Sequence, residues 1–77
     1  MKIIIYSKDN CPNCLTAKQI LTSKNLEYID VDVELGHRWQ NMLREYPDAR
    51  QMPQIFINDQ RVGGLIGLQA ALQKLGL

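Results

Sequence analysis

The sequence has little of what usually marks a secreted, membrane or nucleic-acid-binding protein. Nine Lys+Arg stand against eight Asp+Glu in 77 residues, which gives a formal net charge of +1. A chain with a net charge this close to zero lacks the excess of basic residues that is typical of a nucleic-acid-binding domain. No apolar run approaches the about 20 residues of a membrane span, and residues 3–6 are too short for a signal-peptide core. We therefore expect a cytoplasmic protein with neither nucleic acid nor a membrane as partner.

Cysteine is also scarce, since Cys11 and Cys14 are the only two in the chain. A secreted domain held together by disulfides needs more cysteines, spread along the sequence. Two cysteines this close enclose a very small loop, which constrains the unfolded chain little. Chemistry at the thiols is therefore a better explanation of the pair than a structural disulfide.

The length allows one domain, over residues 1–77, and short apolar runs predict its α/β order β-α-β-α-β-β-α. A helix links the first two strands, so we expect them to be parallel with a right-handed crossover. A turn at 58–60 joins the last two strands into an antiparallel hairpin. The expected architecture is a four-stranded mixed sheet with three helices on its two faces. The predicted strands are 2–6, 27–33, 54–58 and 61–63, and the predicted helices are 12–24, 35–46 and 65–75.

Spacing within these elements predicts which side chains are buried. Residues 27–33 alternate, which places Ile29, Val31 and Val33 towards the core and Tyr28, Asp30 and Asp32 away from it. Pro47 ends the second helix and Gly76 closes the third. His37 has no metal-ligand partner nearby in sequence, and we assign it no role. The apolar stripes of the helices are Cys14, Ala17 and Leu21; Trp39, Met42, Leu43 and Tyr46; and Leu65, Leu68, Leu72 and Leu75.

The Cys11-Pro12-Asn13-Cys14 run follows a buried strand and begins a helix. Free N–H groups and the helix dipole favour a thiolate at Cys11, and Cys14 lies one turn further on, where it can attack a mixed disulfide. Pro12 is tolerated because the first helical position needs no N–H donor. A Cys-X-X-Cys beside a β-α-β pattern predicts redox chemistry. The alternatives are a metal-ligand pair, which needs a second chain because His37 is the only histidine, and two inert core cysteines.

Three weaker features accompany this motif. Lys8 can stabilise a thiolate at Cys11 and attract a substrate carboxylate, or it is a solvated loop lysine. Met52–Pro53 indicates only a strand start, since most X-Pro bonds are trans. Gly63–Gly64 either forms a simple turn between the strand and the next helix, or lets a ligand carboxylate approach the backbone N–H groups of that helix.

Together these segments resemble the dithiol class of the glutaredoxin family. The matching segments are Tyr6–Cys14, Met52–Ile57 and Gly63–Gly64, in the family's order over nearly the whole chain. The resemblance implies a thioredoxin-like fold with a cis bond at Met52–Pro53 beside the Cys11 thiol. It also implies a glutathione-dependent thiol-disulfide oxidoreductase in which Cys11 and Cys14 are catalytic, glutathione is the reductant and no metal is required.

The resemblance further implies a glutathione groove. Lys8 and Gln40 would bind the glycyl carboxylate, and the Met52 backbone would pair with the cysteinyl part. The N–H groups of residues 65–67 would bind the γ-glutamyl carboxylate, and Arg50 and Gln51 match positions just before the family's cis-proline. The implied glutathione-binding residues are Lys8, Asn13, Gln40, Gln51, Met52, Pro53, Gly64, Leu65 and Ile66. The implied protein partners are disulfide-containing or glutathionylated proteins, with ribonucleotide reductase among the family's substrates. We expect the protein itself to be a monomer.

The chain departs from the family pattern at two places. Asn13 stands where most dithiol glutaredoxins have Tyr or Phe, and Ile66–Gly67 stands where the family usually places an Asp for the glutathione ammonium. Loss of one charge-assisted hydrogen bond costs about 1.5–3 kcal/mol. An alternative is therefore an NrdH-like redoxin reduced by thioredoxin reductase, although Val62–Gly64 does not match that branch's Trp-Ser-Gly-Phe-Arg-Pro-like segment. A second alternative is an iron–sulfur or metal-binding module built from two chains, against which Pro12 argues.

Overall fold

The computed structural model describes residues 1–35 and 37–77, and its elements follow the predicted order. The α/β class is confirmed, with boundaries that differ from the predictions by a few residues. The elements are β1 (Ile3–Ser7), α1 (Pro12–Ser23), β2 (Ile29–Asp32), α2 (Arg38–Glu45), β3 (Gln54–Ile57), β4 (Gln60–Gly63) and α3 (Leu65–Lys74).

The four strands form one mixed sheet in the order β2-β1-β3-β4. β1 pairs with β2 in parallel and with β3 in antiparallel orientation, and β3 pairs with β4 in antiparallel orientation. The parallel pair and the hairpin are as predicted. Because β1 and β3 run in opposite directions, the carboxyl end of β1 and the amino end of β3 lie at the same edge of the sheet.

Two apolar clusters lie on the two faces of this sheet, which confirms the three-layer prediction. In β1, Ile3 and Ile5 face α1 and α3 while Ile4 faces α2, which explains the unbroken apolar run. The first cluster contains Ile3, Ile5, Ala17, Leu21, Ile55, Ile57, Leu68 and Leu72. The second contains Ile4, Val31, Met42, Ala49 and Phe56, with Tyr6, Trp39 and Tyr46 packed against it.

The second strand is shorter than predicted, and its burial differs. Of the three residues predicted to face the core, only Val31 is buried, whereas Ile29 is 47% exposed and Val33 lies beyond the strand. Ile29 begins an edge strand, and the short helix α2 covers too little of this face to reach it. Tyr28, which the alternation placed away from the core, packs partly against the first cluster because α1 and α3 cover that face too.

The second helix begins at Arg38, not at Leu35 as predicted. The Asp32 side chain accepts the Glu34 N–H at 2.9 Å, and the Asp32 carbonyl accepts the Leu35 N–H at 3.1 Å. This turn includes Leu35, which the apolar pattern assigned to the start of the helix, and it leaves the Leu35 side chain exposed. The predicted end before Pro47 is confirmed, since α2 ends at Glu45.

The third helix ends at Lys74, and Gly76 closes it as predicted. With φ at 74°, Gly76 donates its N–H to the Gln73 carbonyl at 3.1 Å, and Leu77 donates to the Leu72 carbonyl at 2.9 Å. This is a Schellman motif, in which the left-handed glycine lets the chain turn back. Leu75, predicted to continue the buried stripe, is exposed because the helix has already ended there. None of the helices in the described part of the chain has the length and hydropathy needed to cross a bilayer.

Candidate active site

Cys11 and Cys14 form a disulfide where β1 leads into α1. Cys11 is the N-cap of α1, with extended backbone angles, and its sulfur accepts the backbone N–H of Cys14 at 3.2 Å. Pro12 occupies the first turn, where no N–H donor is required. The sulfur of Cys11 therefore takes the place that a Ser or Asp oxygen takes at an ordinary helix start. A negative charge on this sulfur is favoured by the N–H group and by the helix dipole.

The two sulfurs differ in exposure. Cys14 is buried, with 2% of its surface exposed, whereas Cys11 is partly exposed. Cys14 belongs to the buried stripe of α1, as predicted from its spacing with Ala17 and Leu21. An incoming disulfide can therefore reach Cys11, and Cys14 is placed to react only with what Cys11 holds.

The segment before β3 forms the wall facing Cys11. The Met52–Pro53 bond is cis, as the resemblance implied, and the Met52 carbonyl oxygen lies 3.8 Å from the Cys11 sulfur. Pro53 is buried. A Cβ added at Gly64 would lie 3.5 Å from the Pro53 carbonyl oxygen, so the Gly64 backbone passes close to this segment. The three segments that carried the resemblance therefore meet at one edge of the sheet.

The N-terminus of α3 lies at this same edge. Gly64 is its N-cap, and no side chain caps the first turn. The backbone N–H groups of the first turn are therefore available to an anionic ligand. Ile66 points away from the core with 82% of its surface exposed. Gly67 packs directly against β4, and a Cβ there would overlap the Val62 carbonyl group.

This close approach explains part of the departure from the family pattern. A residue with a side chain at position 67 would push α3 away from β4. Position 66 has no such restriction, since its side chain already lies in solvent. Of these two positions, only position 66 can carry a carboxylate for a ligand ammonium without moving the helix.

An open cavity of about 570 Å³ adjoins the disulfide on its loop side. Lys8 lines this cavity together with Cys11, so the structure brings these two predicted residues together. Asn13 is exposed in the first turn of α1, and Gln40 is exposed on α2. Gln51 is exposed, and its carbonyl accepts the Gln54 side-chain amide at 2.8 Å. The glutathione roles of these residues stay predictions.

An ion-pair network that the sequence did not predict lies beside the disulfide. The Lys18 ammonium lies 2.6 Å from one Asp30 oxygen, and the Ser7 hydroxyl donates to the other at 2.6 Å. Lys18 also lines the cavity next to the disulfide. The available signal was the position of Lys18, four residues after Cys14 and hence on the same face of the helix.

A second missed network supports the segment that leads to the cis bond. Arg61 on β4 lies with its guanidinium carbon 5.3 Å from the Tyr46 ring centroid, and it donates to the Gln54 side chain at 3.2 Å. It also donates to both oxygens of Asp48, at 3.1 and 3.2 Å. This contact holds the pKa of the Asp48 carboxyl below its usual value, so the ion pair weakens only as the pH falls through that lowered pKa.

The part of the chain that the structure describes contains no group of three or more His, Cys, Asp or Glu placed to hold a metal ion. What the arrangement offers is a reversible disulfide between a partly exposed and a buried sulfur. Beside it lie the N-termini of α1 and α3 and the backbone carbonyl group of Met52.

Comparison with known proteins gives one consistent result. The family model described as Glutaredoxin matches residues 3–62. The chain is 40% identical over 68 residues to glutaredoxin-C4 of Arabidopsis thaliana, covering 82% of this chain and 49% of that protein. The chain spans between 40% and 63% of the length of the curated relatives it matches.

Solved structures agree with this match. The reduced glutaredoxin of Escherichia coli superposes with a TM-score of 0.80 and 25% identity, covering all of both chains. The NrdH-redoxin of E. coli, described as glutaredoxin-like with a thioredoxin-like activity profile, superposes with a TM-score of 0.75 and 21% identity. This superposition covers 91% of the present chain and 93% of the redoxin, and at that identity it shows a shared fold alone.

Proposed function

The chain belongs to the glutaredoxin family, and from this premise we propose that it is a glutathione-dependent thiol-disulfide oxidoreductase. Its targets would be protein disulfides and glutathione mixed disulfides. The observation that carries the proposal is the Cys11–Cys14 disulfide, whose outer sulfur caps a helix and whose inner sulfur is buried. A structural disulfide would not need its outer sulfur to accept an N–H group at a partly exposed helix start.

In the proposed reaction, the Cys11 thiolate attacks one sulfur of the substrate disulfide. The substrate S–S bond breaks, and its other sulfur leaves as a thiolate that takes up a proton. Cys14 then loses its proton and attacks the Cys11 sulfur, which releases the second substrate sulfur as a thiolate. The substrate has gained two electrons, and the protein holds the Cys11–Cys14 disulfide.

Two glutathione molecules would restore the dithiol. The first attacks Cys11 and expels Cys14 as a thiolate, and the second attacks the glutathione sulfur and expels Cys11, forming glutathione disulfide. The proposed site for the tripeptide is the groove between the cis-proline segment and the first turn of α3. The uncapped N–H groups of residues 65–67 support binding of one carboxylate there, and the position of Lys8 on the cavity beside Cys11 supports binding of another. Asn13, Gln40 and Gln51 belong to the proposed binding set on the resemblance alone.

The test uses two single-cysteine variants. We expect Cys11→Ser to remove all turnover, because Cys14 is too buried to meet a substrate disulfide. We expect Cys14→Ser to keep reduction of a small glutathione mixed disulfide, which needs Cys11 and glutathione alone, and to lose reduction of a protein disulfide. The measurement is NADPH consumption coupled through glutathione reductase. Substantial turnover by the Cys11→Ser variant would show that this mechanism is wrong.

The departure at Ile66–Gly67 favours a second candidate, a redoxin that takes electrons from thioredoxin reductase. Ile66 places an apolar side chain beside the proposed γ-glutamyl site, where the family usually supplies a carboxylate. Both candidates share the Cys11 and Cys14 chemistry and differ only in the reductant. The metal-binding alternative makes a separate prediction, since an iron–sulfur protein purified without oxygen would absorb visible light.

The remaining proposals follow the family. We place all 77 residues in one glutaredoxin-like domain that acts as a monomer in the cytoplasm. Its protein partners would be disulfide-containing or glutathionylated proteins, with ribonucleotide reductase as one of the substrate class.

A further inference from the structure

Three polar side chains form a continuous chain beside the disulfide, and the proposed reaction gives them no role. Ser7 ends β1, Asp30 lies in β2 and Lys18 lies in α1. Each Asp30 oxygen has one partner at 2.6 Å, the Ser7 hydroxyl or the Lys18 ammonium. Ser7 is 3% exposed, so the carboxylate is anchored from a buried group. The anchored carboxylate in turn fixes the end of a long and otherwise mobile lysine side chain.

Lys18 is held on the same side of α1 as the buried cysteine. Residues four apart on a helix are neighbours on its surface, and Lys18 and Cys14 line the same cavity. With the Lys18 side chain 26% exposed, its charge is less screened by water than that of a fully exposed lysine. The network therefore holds a cation on the wall of the cavity that Cys14 also lines.

The other charged groups around Cys14 are few. Lys8 and Asp9 line the cavity from the loop before Cys11, and they oppose one another in charge. β2 contributes two carboxylates on one face, Asp30, whose charge is paired with Lys18, and Asp32, whose side chain accepts the Glu34 N–H. α3, which packs against α1, carries a single charged residue, Lys74, in its last turn.

Cys14 needs such a cation more than Cys11 does. The proposed reaction requires a Cys14 thiolate twice, as the leaving group when the disulfide is reduced and as the nucleophile that releases a substrate. Burial disfavours a thiolate. The helix N-terminus acts on Cys11, to which Cys14 itself donates its N–H.

We propose that Lys18, held by Asp30 and Ser7, is a positioning residue that stabilises the Cys14 thiolate. This inference rests on the proposed function. When a thiolate attacks Cys11, the Cys11–Cys14 bond breaks and its electron pair passes to Cys14, on the side where Lys18 is held. In the resolving step Cys14 gives its proton to water in the open cavity, attacks the Cys11 sulfur and releases the substrate sulfur with the electron pair.

The test titrates each sulfur alone. In the Cys11→Ser protein, Lys18→Gln should raise the pKa of Cys14 by about one pH unit, measured by the ultraviolet absorbance of the thiolate. Lys18→Arg should restore the original value. Lys24→Gln, at the C-terminal cap of the same helix, removes the same charge away from the cavity and should leave the Cys14 titration unchanged.

The same substitution in the Cys14→Ser protein should move the pKa of Cys11 by much less than one pH unit. In the unaltered dithiol background, Lys18→Gln should slow the resolving step about threefold at pH 7, because a tenfold smaller thiolate fraction is partly offset by higher nucleophilicity. Equal shifts from Lys18→Gln and Lys24→Gln, or a shift confined to Cys11, would overturn the proposal. The titrations need no turnover, so failure of the glutathione-coupled assay and failure of this inference give separate results.

Discussion

At the scale of single residues, the two positions after Leu65 distinguish this chain from the usual family pattern. Gly67 is confined by the Val62 carbonyl, whereas Ile66 lies 82% exposed at the first turn of α3. A carboxylate at position 66 would lie near the N-terminus of the helix and beside the proposed γ-glutamyl site. Packing against β4 therefore excludes Asp at position 67, whereas nothing in the packing excludes it at position 66.

This difference predicts that an Asp at position 66 improves glutathione binding, whereas an Asp at position 67 destabilises the fold. Ile66→Asp should fold normally and lower the KM for glutathione about threefold, because an exposed ion pair contributes up to about 1 kcal/mol. Ile66→Asn, of the same size without the charge, is the matched control and should leave KM close to the starting value. Gly67→Asp should instead lower the midpoint of urea unfolding. Equal KM values for Ile66→Asp and Ile66→Asn would contradict the proposed position of the glutathione ammonium.

At the scale of elements, the β3–β4 hairpin is joined to the start of β1. Asn58 and Asp59 form the turn with φ at 50° and 67°, the left-handed values of a type I′ turn. The Lys2 N–H donates to the Asn58 side chain at 2.9 Å, and the Asn58 N–H donates to the Lys2 carbonyl at 2.8 Å. The second turn position would be occupied more favourably by glycine than by Asp59.

Asp59→Gly should therefore raise the free energy of unfolding by about 0.5 kcal/mol, measured by urea denaturation, since glycine adopts a positive φ without steric cost. Asp59→Ala should lower it by about 1 kcal/mol relative to the glycine variant. Asp59→Asn keeps a side chain that tolerates this conformation and removes only the exposed contact with Lys2, so it should change stability little. A more stable alanine variant would show that the turn conformation is wrong.

The elements also show how far sequence reasoning reaches. The strongly patterned segments were predicted within a residue or two, because the short Ile-rich runs of β1 and β3 combine strand length with β-branched side chains that favour strands. The start of α2 was wrong because Asp32 forms a side-chain turn that the apolar pattern does not register. Tyr28 was assigned to the wrong environment because alternation assumes one solvent face, whereas helices cover both faces of this sheet. Ile29 was assigned wrongly because α2 is too short to cover the start of this edge strand.

At the scale of the whole molecule, the antiparallel pairing of β1 and β3 assembles the site. It brings the Cys11 loop and the cis-proline segment to one edge of the sheet, and the Gly64 contact brings α3 there as well. The resemblance predicted this meeting of three segments. The Lys18–Asp30–Ser7 and Arg61–Asp48 contacts were not predicted, because each depends on which side chains the crossover and the hairpin place side by side.

Two helix N-termini therefore direct their positive ends towards the same edge, which suits a thiolate and an anionic tripeptide in a chain of net charge +1.

The central claim is that glutathione supplies the electrons that reduce the Cys11–Cys14 disulfide at this edge. The most direct test is a coupled assay with two arms, glutathione with glutathione reductase and NADPH, or thioredoxin reductase and NADPH. We expect turnover of a glutathione mixed disulfide in the first arm. Turnover of a general disulfide substrate in the second arm alone would contradict the claim and remove the glutathione groove from the account.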